Sequence, residues 1–392
     1  MNKPIPWWSP QLAGTEQHLI AEVLASNYLN DGEVTSRFEC EVAALVGAKH
    51  AVAVTSGTTA LFLALAALGV GPGDEVIVPD ITFIATANAV KLAGATPVLV
   101  DVDPLTLNIC PRQIAEAITP RTKAIMPVHV SGRAADLPAI RRVAEAHNLF
   151  VVEDAAEALL SRLDGKCLGT IGAAGCLSFS PNKTITTGQG GMVLTNDDAL
   201  HTRLRELKDH GRRGRGTGGD DVHHAVGFNF KLTNLQAAVG LAQLDALPER
   251  IERQKKIFSI YAVELADCEP ITLPGFDLAA GEVPQWTDAL VEDRDALVEF
   301  LEARQIFCRR FWFPLHTQTP YRATNDRFPN STRLGPNALW LPSAFTLTDG
   351  DVLTVCRAVV EWAAQPSRSD SGAKAHRTMT PLPKRAIAKI AA

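Results

Sequence analysis

No stretch of about 18 uninterrupted apolar residues occurs in the 392-residue chain, so length alone excludes a membrane-spanning helix. The opening residues, Met1 to Pro10, lack the basic-then-apolar pattern of a secretory leader. Paired cysteine is missing as well. Cys40, Cys110, Cys167, Cys176, Cys268, Cys308 and Cys356 stand singly, with no CxxC and no metal-ligand spacing. Seven scattered thiols read as reduced, cytoplasmic and mostly core filler, with no bound metal. Positive charge is short too: 38 Lys and Arg face 43 Asp and Glu, a net −5. The stretch from Gln365 to Ala392 carries six cations and one anion, so the other 364 residues hold −10. An acidic body argues against nucleic acid as a partner. No internal repeat with a period of about 20–50 residues is present.

What the chain does have is 46% hydrophobic and 21% charged residues, the balance of a folded globular protein. At about 150 residues per domain, its length suits two or three domains. Short apolar, β-branched runs at 51–54, 75–78, 97–100, 124–128, 149–152, 174–179 and 192–195 alternate with helical periodicity at 60–68, 85–92, 111–117 and 137–146. Such alternation builds βαβ units, so an α/β fold is expected, with a seven-stranded, mostly parallel sheet between helices. After Thr195 the pattern changes. Residues 198–209 read as a helix, and 211–221, with five glycines, as a mobile surface loop. Thr233 is placed to cap a long helical stretch to Leu265, with a break near Pro248. A smaller α/β segment follows, marked by the run 286–291, a helix at 294–304, the aromatic run 307–313 and a helix at 349–364. These shifts divide the chain into a large domain over 1–245, a small C-terminal domain over 246–364, and a basic, disordered tail over 365–392.

In open α/β sheets ligands sit at the carboxyl ends of the strands, so the polar residues there are the candidates. The first strand runs into Thr55-Ser56-Gly57-Thr58-Thr59, which opens a helix. Free backbone N–H groups and the positive dipole end suit an anion there, and an ordinary N-cap leaves the same trace. The third strand ends in Asp101-Val102-Asp103-Pro104, which reads as a turn. Glu153 and Asp154 end the fifth strand, with Glu157 just beyond. An acid at this point either faces the crevice or caps the next turn. Lys183 follows the sixth strand, among hydroxyls and beside the turn Gly188-Gln189-Gly190-Gly191. A lysine that condenses with an aldehyde must be desolvated so that the neutral amine is available. An anion site, a carboxylate and an amine on one crevice meet the needs of pyridoxal phosphate: a seat for its phosphate, a partner for its ring nitrogen and an amine for its aldehyde.

The motifs TSGTTAL at 55–61, PDITFIATANAV at 79–90, PVHVSG at 127–132, EDAAEA at 153–158, SFSPNKTITTGQGGM at 178–192, GFNFKLTNLQA at 227–237 and FPLH at 313–316 occur in this order. Over residues 5–364 the chain thereby resembles the DegT/DnrJ/EryC1/StrS sugar-nucleotide aminotransferases, a family of fold-type I pyridoxal-phosphate enzymes. The resemblance implies that Lys183 bonds the cofactor and that Asp154 partners its ring nitrogen, both as catalytic residues. Gly57, Thr58 and Ser178 would hold the phosphate, Phe83 would stack on the ring, and Glu157 would lie near the ring hydroxyl. Asn229 matches a residue that reaches the phosphate of the neighbouring subunit, which implies a homodimer with shared active sites. His316 would face the sugar side of the pocket, with Arg309 and Trp312 as further substrate contacts. Arg309 and Arg310 suit either a diphosphate or an amino-acid carboxylate. Phe311 and Phe313, two apart, would share one face of a strand and could both be core.

The runs NKTITTG and VGFNFKLTNLQAAVGLAQL, the latter at 226–244, are most similar to the branch that aminates C4 of GDP-4-keto-6-deoxymannose. That branch implies a nucleotide-linked keto sugar as substrate and L-glutamate as amino donor. Two positions depart from the family. Gln189 stands where GEGG is usual, and Ser180 stands three residues before the lysine, where an aromatic is common. One relative, a sugar dehydratase, has histidine at the lysine position, so Lys183 favours transamination. Competing readings are a 3-aminotransferase on a dTDP- or UDP-linked keto sugar, another pyridoxal-phosphate chemistry such as dehydration, and a non-enzymatic role on the same fold.

Overall fold

The computed structural model describes residues 3–213 and 221–365. Most of the expected glycine loop and nearly all of the expected tail lie outside the described residues. The chain opens with α1 (Glu16–Ser26) and α2 (Glu33–Val46), followed by β1 (His50–Val54), α3 (Gly57–Ala67), β2 (Glu75–Pro79), α4 (Ala85–Leu92), β3 (Thr96–Val100) and α5 (Pro111–Ala117). Next come β4 (Thr122–Ile125), α6 (Leu137–His147), β5 (Phe150–Asp154), the short β6 (Arg162–Leu163) and β7 (Lys166–Cys167), β8 (Ala174–Ser178), β9 (Gly191–Thr195) and α7 (Asp198–Lys208). The C-terminal part comprises α8 (Asn234–Asp245), α9 (Leu247–Glu264), β10 (Ile271–Thr272), β11 (Thr287–Val291), α10 (Arg294–Glu302), β12 (Arg309–Arg310), α11 (Pro329–Leu334), β13 (Ala338–Leu341) and α12 (Asp349–Ala363).

Seven strands form one sheet in the order β1-β9-β8-β5-β4-β2-β3. Six run the same way, and only β9 is antiparallel to its neighbours β1 and β8. Strands covered on both faces read as continuous apolar runs, and β2 shows it: Val76 and Val78 enter one core while Ile77 enters the other. One face packs Ile77, Ile125 and Leu177 against Phe38 and Val42 of α2. The opposite face packs Val52, Val76 and Val78 against Leu61, Leu63 and Leu65 of α3. A Cβ at Gly240 would lie 2.6 Å from Phe38 Cζ, so only glycine lets α8 close on the ring. Burying that ring stabilises the fold by about 1.5–3 kcal/mol.

A second, antiparallel sheet runs β10-β11-β13-β12. Its core is made with α9, α10 and α12 through Ile257, Tyr261, Val291, Leu297 and Val355. Ile5 pairs with Ile306 and joins this core, so the N-terminal strand of chain packs with the C-terminal sheet. A fourth cluster, with Trp8, Trp286, Phe311, Trp340 and Phe345, meets Ile81, Val128 and Val130 from the large-sheet side. The seam between the two sheets is therefore aromatic.

The helical stretch after Thr233 breaks at Ala246, with Pro248 in the first turn of α9, where a missing N–H is harmless. Asp101 does more than form a turn. Its carboxylate accepts from the Asn330 and Ser331 N–H groups at 2.7 and 2.8 Å, anchoring α11, while Asp103 caps the local turn through Leu105 and Thr106. All seven cysteines are free; Cys167, Cys176 and Cys356 are buried in the cores and Cys268 and Cys308 pack against one, so most are core filler. Among the described residues no helix is long and apolar enough to cross a membrane.

Candidate active site

The helix α3 begins at the carboxyl end of β1. Ser56 caps it by accepting the Thr59 N–H at 3.1 Å, and Thr59 Oγ1 returns an acceptor to the Ser56 N–H at 2.8 Å. That capping box satisfies the third helical N–H and leaves the N–H groups of Gly57 and Thr58 without an acceptor among the described residues. A Cβ at Gly57 would stand 2.8 Å from Ser178 Cβ. Ser178 ends β8, and Ser178 and Val54 both pair with Gly191. The sheet register thus brings two free N–H groups and a serine hydroxyl to one spot.

Asp154 ends β5 and is 5% exposed. Thr86 Oγ1 donates to its Oδ2 at 2.8 Å, and the Ala156 N–H donates to Oδ1 at 3.2 Å. Burial pushes this carboxyl above its ordinary range, against the opposing pull of Thr86, Ala156 and Lys183. Its neighbour Glu153 points to the other face. There, burial is outweighed by His129 and by the N–H groups of Gly169 and Gly172, and the carboxyl stays below its usual range. His129 accepts the Ala135 N–H at Nδ1, so its proton sits on Nε2 and is donated to Glu153 at 3.0 Å. Phe83, beside Thr86 at the start of α4, is 52% exposed, an unusual position for a large aromatic.

Lys183 Nζ lies 3.2 Å from Glu157 Oε1 and 4.9 Å from the centre of the Trp286 ring. Glu157 is 5% exposed; burial raises its carboxyl, while Lys183 and the Ser131 N–H pull it down. The loop carrying the lysine is stapled on several sides. Trp8 Nε1 donates to Pro181 O at 3.1 Å, Arg250 donates to Thr184 O at 3.0 Å, and Thr184 Oγ1 donates to Gln285 at 2.7 Å. Lys183, Glu157 and Asp154 therefore cluster beyond the carboxyl ends of β5 and β8. Trp286, Thr86 and Ser131 touch this cluster and Gln285 touches the lysine loop; sequence reasoning did not single them out. Ser131 lay inside the PVHVSG run, which was the available signal; Trp286 read only as the start of an apolar strand.

The other candidates are distributed differently. His316 is fully buried and engaged at both ring nitrogens: Nδ1 meets Asp80 at 2.6 Å and Nε2 meets Asn325 at 3.2 Å. Instead of presenting a free nitrogen to a sugar, its ring stacks on Phe328, and its backbone N–H also goes to Asp80. Arg309 is exposed, with its guanidinium over Trp7 and Trp340 at 4.9 and 5.5 Å. Arg310 is paired with Asp295 at 2.9 Å. Trp312 packs on Phe311 and Trp340 and is half-buried. Phe311 is buried and Phe313 is 55% exposed, so the two do not share a face, because β12 ends at Arg310. Asn229 is exposed and bridged by its backbone to Asp209; within one chain it does not join the cluster. Gln189 is exposed, with its carbonyl accepting from Gln236 at 2.7 Å, and Ser180 donates to Asn182 at 2.8 Å.

Comparison with known proteins follows the same lines. The model of the DegT/DnrJ/EryC1/StrS aminotransferase family matches residues 10–360. The GDP-perosamine synthase of Caulobacter vibrioides is 40% identical over 363 residues, spanning 90% of this chain and 96% of that enzyme. The GDP-perosamine synthase of Escherichia coli O157:H7 is 37% identical over 365 residues, 92% of this chain and 99% of that enzyme. Among solved structures, DesV of S. venezuelae in complex with a ketimine intermediate superposes with a TM-score of 0.88 at 35% identity, covering 93% of this chain and 100% of that one.

Proposed function

Since the chain belongs to the DegT/DnrJ/EryC1/StrS aminotransferase family, we propose that it uses pyridoxal phosphate to move an amino group from L-glutamate to C4 of a nucleotide-linked 4-keto-6-deoxy sugar. GDP-4-keto-6-deoxymannose is the substrate best supported. The observation that carries this choice is the 40% identity to a GDP-perosamine synthase across nearly its whole length.

The residues present suit the cofactor. Two unsatisfied N–H groups at the N-terminus of α3, close against Ser178, match a phosphate dianion in charge and in donor count. Asp154, oriented by Thr86 and Ala156, would hold a proton on the ring nitrogen. Burial that disfavours the lone carboxylate is offset once a cation stands beside it. Phe83 offers an exposed aromatic face to cover the ring. When bound, pyridoxal phosphate supplies an aldehyde for the amine and an electron-withdrawing ring. Lys183 is the amine that takes up and returns a proton at the reacting carbon. Glu157, 3.2 Å away, holds that amine in place. The surrounding seam of Trp286 and Trp340 keeps water out of the exchange. Asn229, exposed on its own chain, would complete the phosphate site of a second copy. These roles fit a cytoplasmic homodimer with shared active sites.

The test is incubation of purified protein with glutamate and GDP-, dTDP- and UDP-linked 4-keto and 3-keto sugars, with products read by mass. The expected product is the GDP-linked 4-amino sugar together with 2-oxoglutarate. A tenfold preference for a dTDP or UDP substrate, about 1.4 kcal/mol in transition-state binding, overturns the nucleotide. Product lacking water and no 2-oxoglutarate overturns the reaction.

A further inference from the structure

Ser131 holds a backbone conformation that serine rarely adopts. Its φ is +53° and ψ is +21°, the left-handed region that costs an L-residue with a Cβ. The position is buried and fixed on all sides. Ser131 Oγ donates to Asp288 Oδ1 at 2.7 Å and accepts from Trp340 Nε1 at 3.2 Å. The Ser131 carbonyl accepts the Gln285 N–H at 2.8 Å. The next residue, Gly132, has φ +95°, and a Cβ there would fall 2.0 Å from Val283 O. Three anchors thus come from Gln285, from Asp288 on β11 and from Trp340 on β13. Asp288 is held in turn by an ion pair with the fully buried Arg133, whose Nη1 donates to Thr106 O at 2.8 Å.

The strained backbone has one evident outlet. Its N–H donates to Glu157 Oε2 at 3.0 Å, and the other oxygen of the same carboxylate faces Lys183 Nζ at 3.2 Å. Backbone strain that persists against its cost marks a point where surrounding structure enforces a function. We propose that Arg133, Asp288 and Ser131 form a positioning relay, which holds the Ser131 N–H on Glu157 and so fixes the carboxylate that holds the Lys183 amine in place. None of the three touches the reacting atoms. The relay also ties the second sheet, through Asp288 on β11, to the amine at the carboxyl ends of the first. A shift of β11 relative to the large sheet would loosen Ser131, turn Glu157 and release the amine. The inference rests on Lys183 being the reactive amine of the proposed function. The charged groups facing Lys183 are Glu157 and, at longer range, Asp154; Trp286 supplies a ring face.

The test reads the amine directly, in the full chain freed of cofactor, by the rate at which an acylating reagent labels Lys183 at pH 8, followed by peptide mass. The Glu157 carboxylate ties the amine down at 3.2 Å, so Glu157→Gln, which removes the charge-assisted contact, should free the amine and raise the labelling rate about three- to tenfold. Ser131→Gly suits the left-handed backbone and removes only the hydroxyl anchor. It should raise the rate in the same direction, and in the Glu157→Gln background it should add nothing. Thermal melting checks that each variant is folded. If Ser131→Gly melts early, Asp288→Asn, which keeps the side-chain shape, is read in the same assay. Wild-type labelling in the folded relay variants overturns the proposal, as does an effect that multiplies onto that of Glu157→Gln. Because the assay needs neither cofactor nor sugar, its outcome is independent of whether the proposed transamination is found.

Discussion

Thr86 Oγ1 donates to Asp154 Oδ2 at 2.8 Å, joining residues 68 apart in sequence across the carboxyl ends of β2 and β5. Thr86 Oγ1 also lies 2.8 Å from Thr82 Oγ1, so the carboxylate is aimed by a hydroxyl pair in the turn that carries Phe83. An acid aimed by a neutral donor keeps its charge available for a ligand, which an arginine partner would neutralise.

Asp154→Asn separates stability from activity. Burial holds this carboxyl above 3.8. A raised folded value means that the fold binds the proton more tightly than the unfolded chain, so stability is lost as pH rises from about 3.8 through that raised value. At pH 7 the cofactor-free Asp154→Asn protein should melt at or above the wild-type temperature. Its kcat should fall by at least about 100-fold. A variant nearly as fast as wild type would assign the ring-nitrogen role to another group.

Lys183→Ala should fold and still take up cofactor through α3 and Asp154, but turnover should be lost, since the same amine performs exchange and proton transfer. Scanning calorimetry and product formation read the two halves. Substantial turnover without added amine would refute the assignment.

Gly57→Ala places a Cβ 2.8 Å from Ser178 Cβ. Either α3 or β8 must give way, at the point proposed to close on phosphate. The expected result is a loss of cofactor affinity of tenfold or more, about 1.4 kcal/mol, measured by absorbance titration. Equal affinity would mean that the phosphate is held elsewhere.

His316→Ala leaves the buried Asp80 carboxylate without its ring partner. Removing one member of a buried pair costs about 3–5 kcal/mol, so urea unfolding should show a large loss of stability. A stability change under about 1 kcal/mol with a raised KM would return His316 to the substrate side.

Asn229→Ala tests the shared site. If the residue completes a neighbouring subunit's phosphate site, mixing Asn229→Ala with the inactive Lys183→Ala protein should restore activity in a fraction of hybrid dimers, seen after subunit exchange. Full activity of Asn229→Ala alone, or of a monomer isolated by size exclusion at micromolar concentration, counts against it.

The sequence by itself determined the layers. Short Val-, Ala- and Ile-rich runs alternating with helical periodicity build βαβ units with parallel crossovers, so the seven-stranded sheet was legible. The capping sequence Ser56-Gly57-Thr58-Thr59 announced a helix start because caps are local chemistry, settled within four residues. The strand ends at Asp154 and Ser178 were legible for the same reason: a polar residue closing an apolar run marks the sheet's open edge. Tertiary structure decided the rest. Whether His316 faces a pocket or is locked against Asp80 depends on a contact 236 residues long, and no local pattern encodes it. The same holds for Asp101, which reads as a turn and instead anchors Ser331 from 230 residues away. Ser131 is the extreme case. Its left-handed backbone is unfavourable on its own, and it exists because Asp288, Trp340 and Gln285 impose it from another sheet. Propensity reports what a residue prefers alone, whereas the packed interior can hold it where it would not otherwise go.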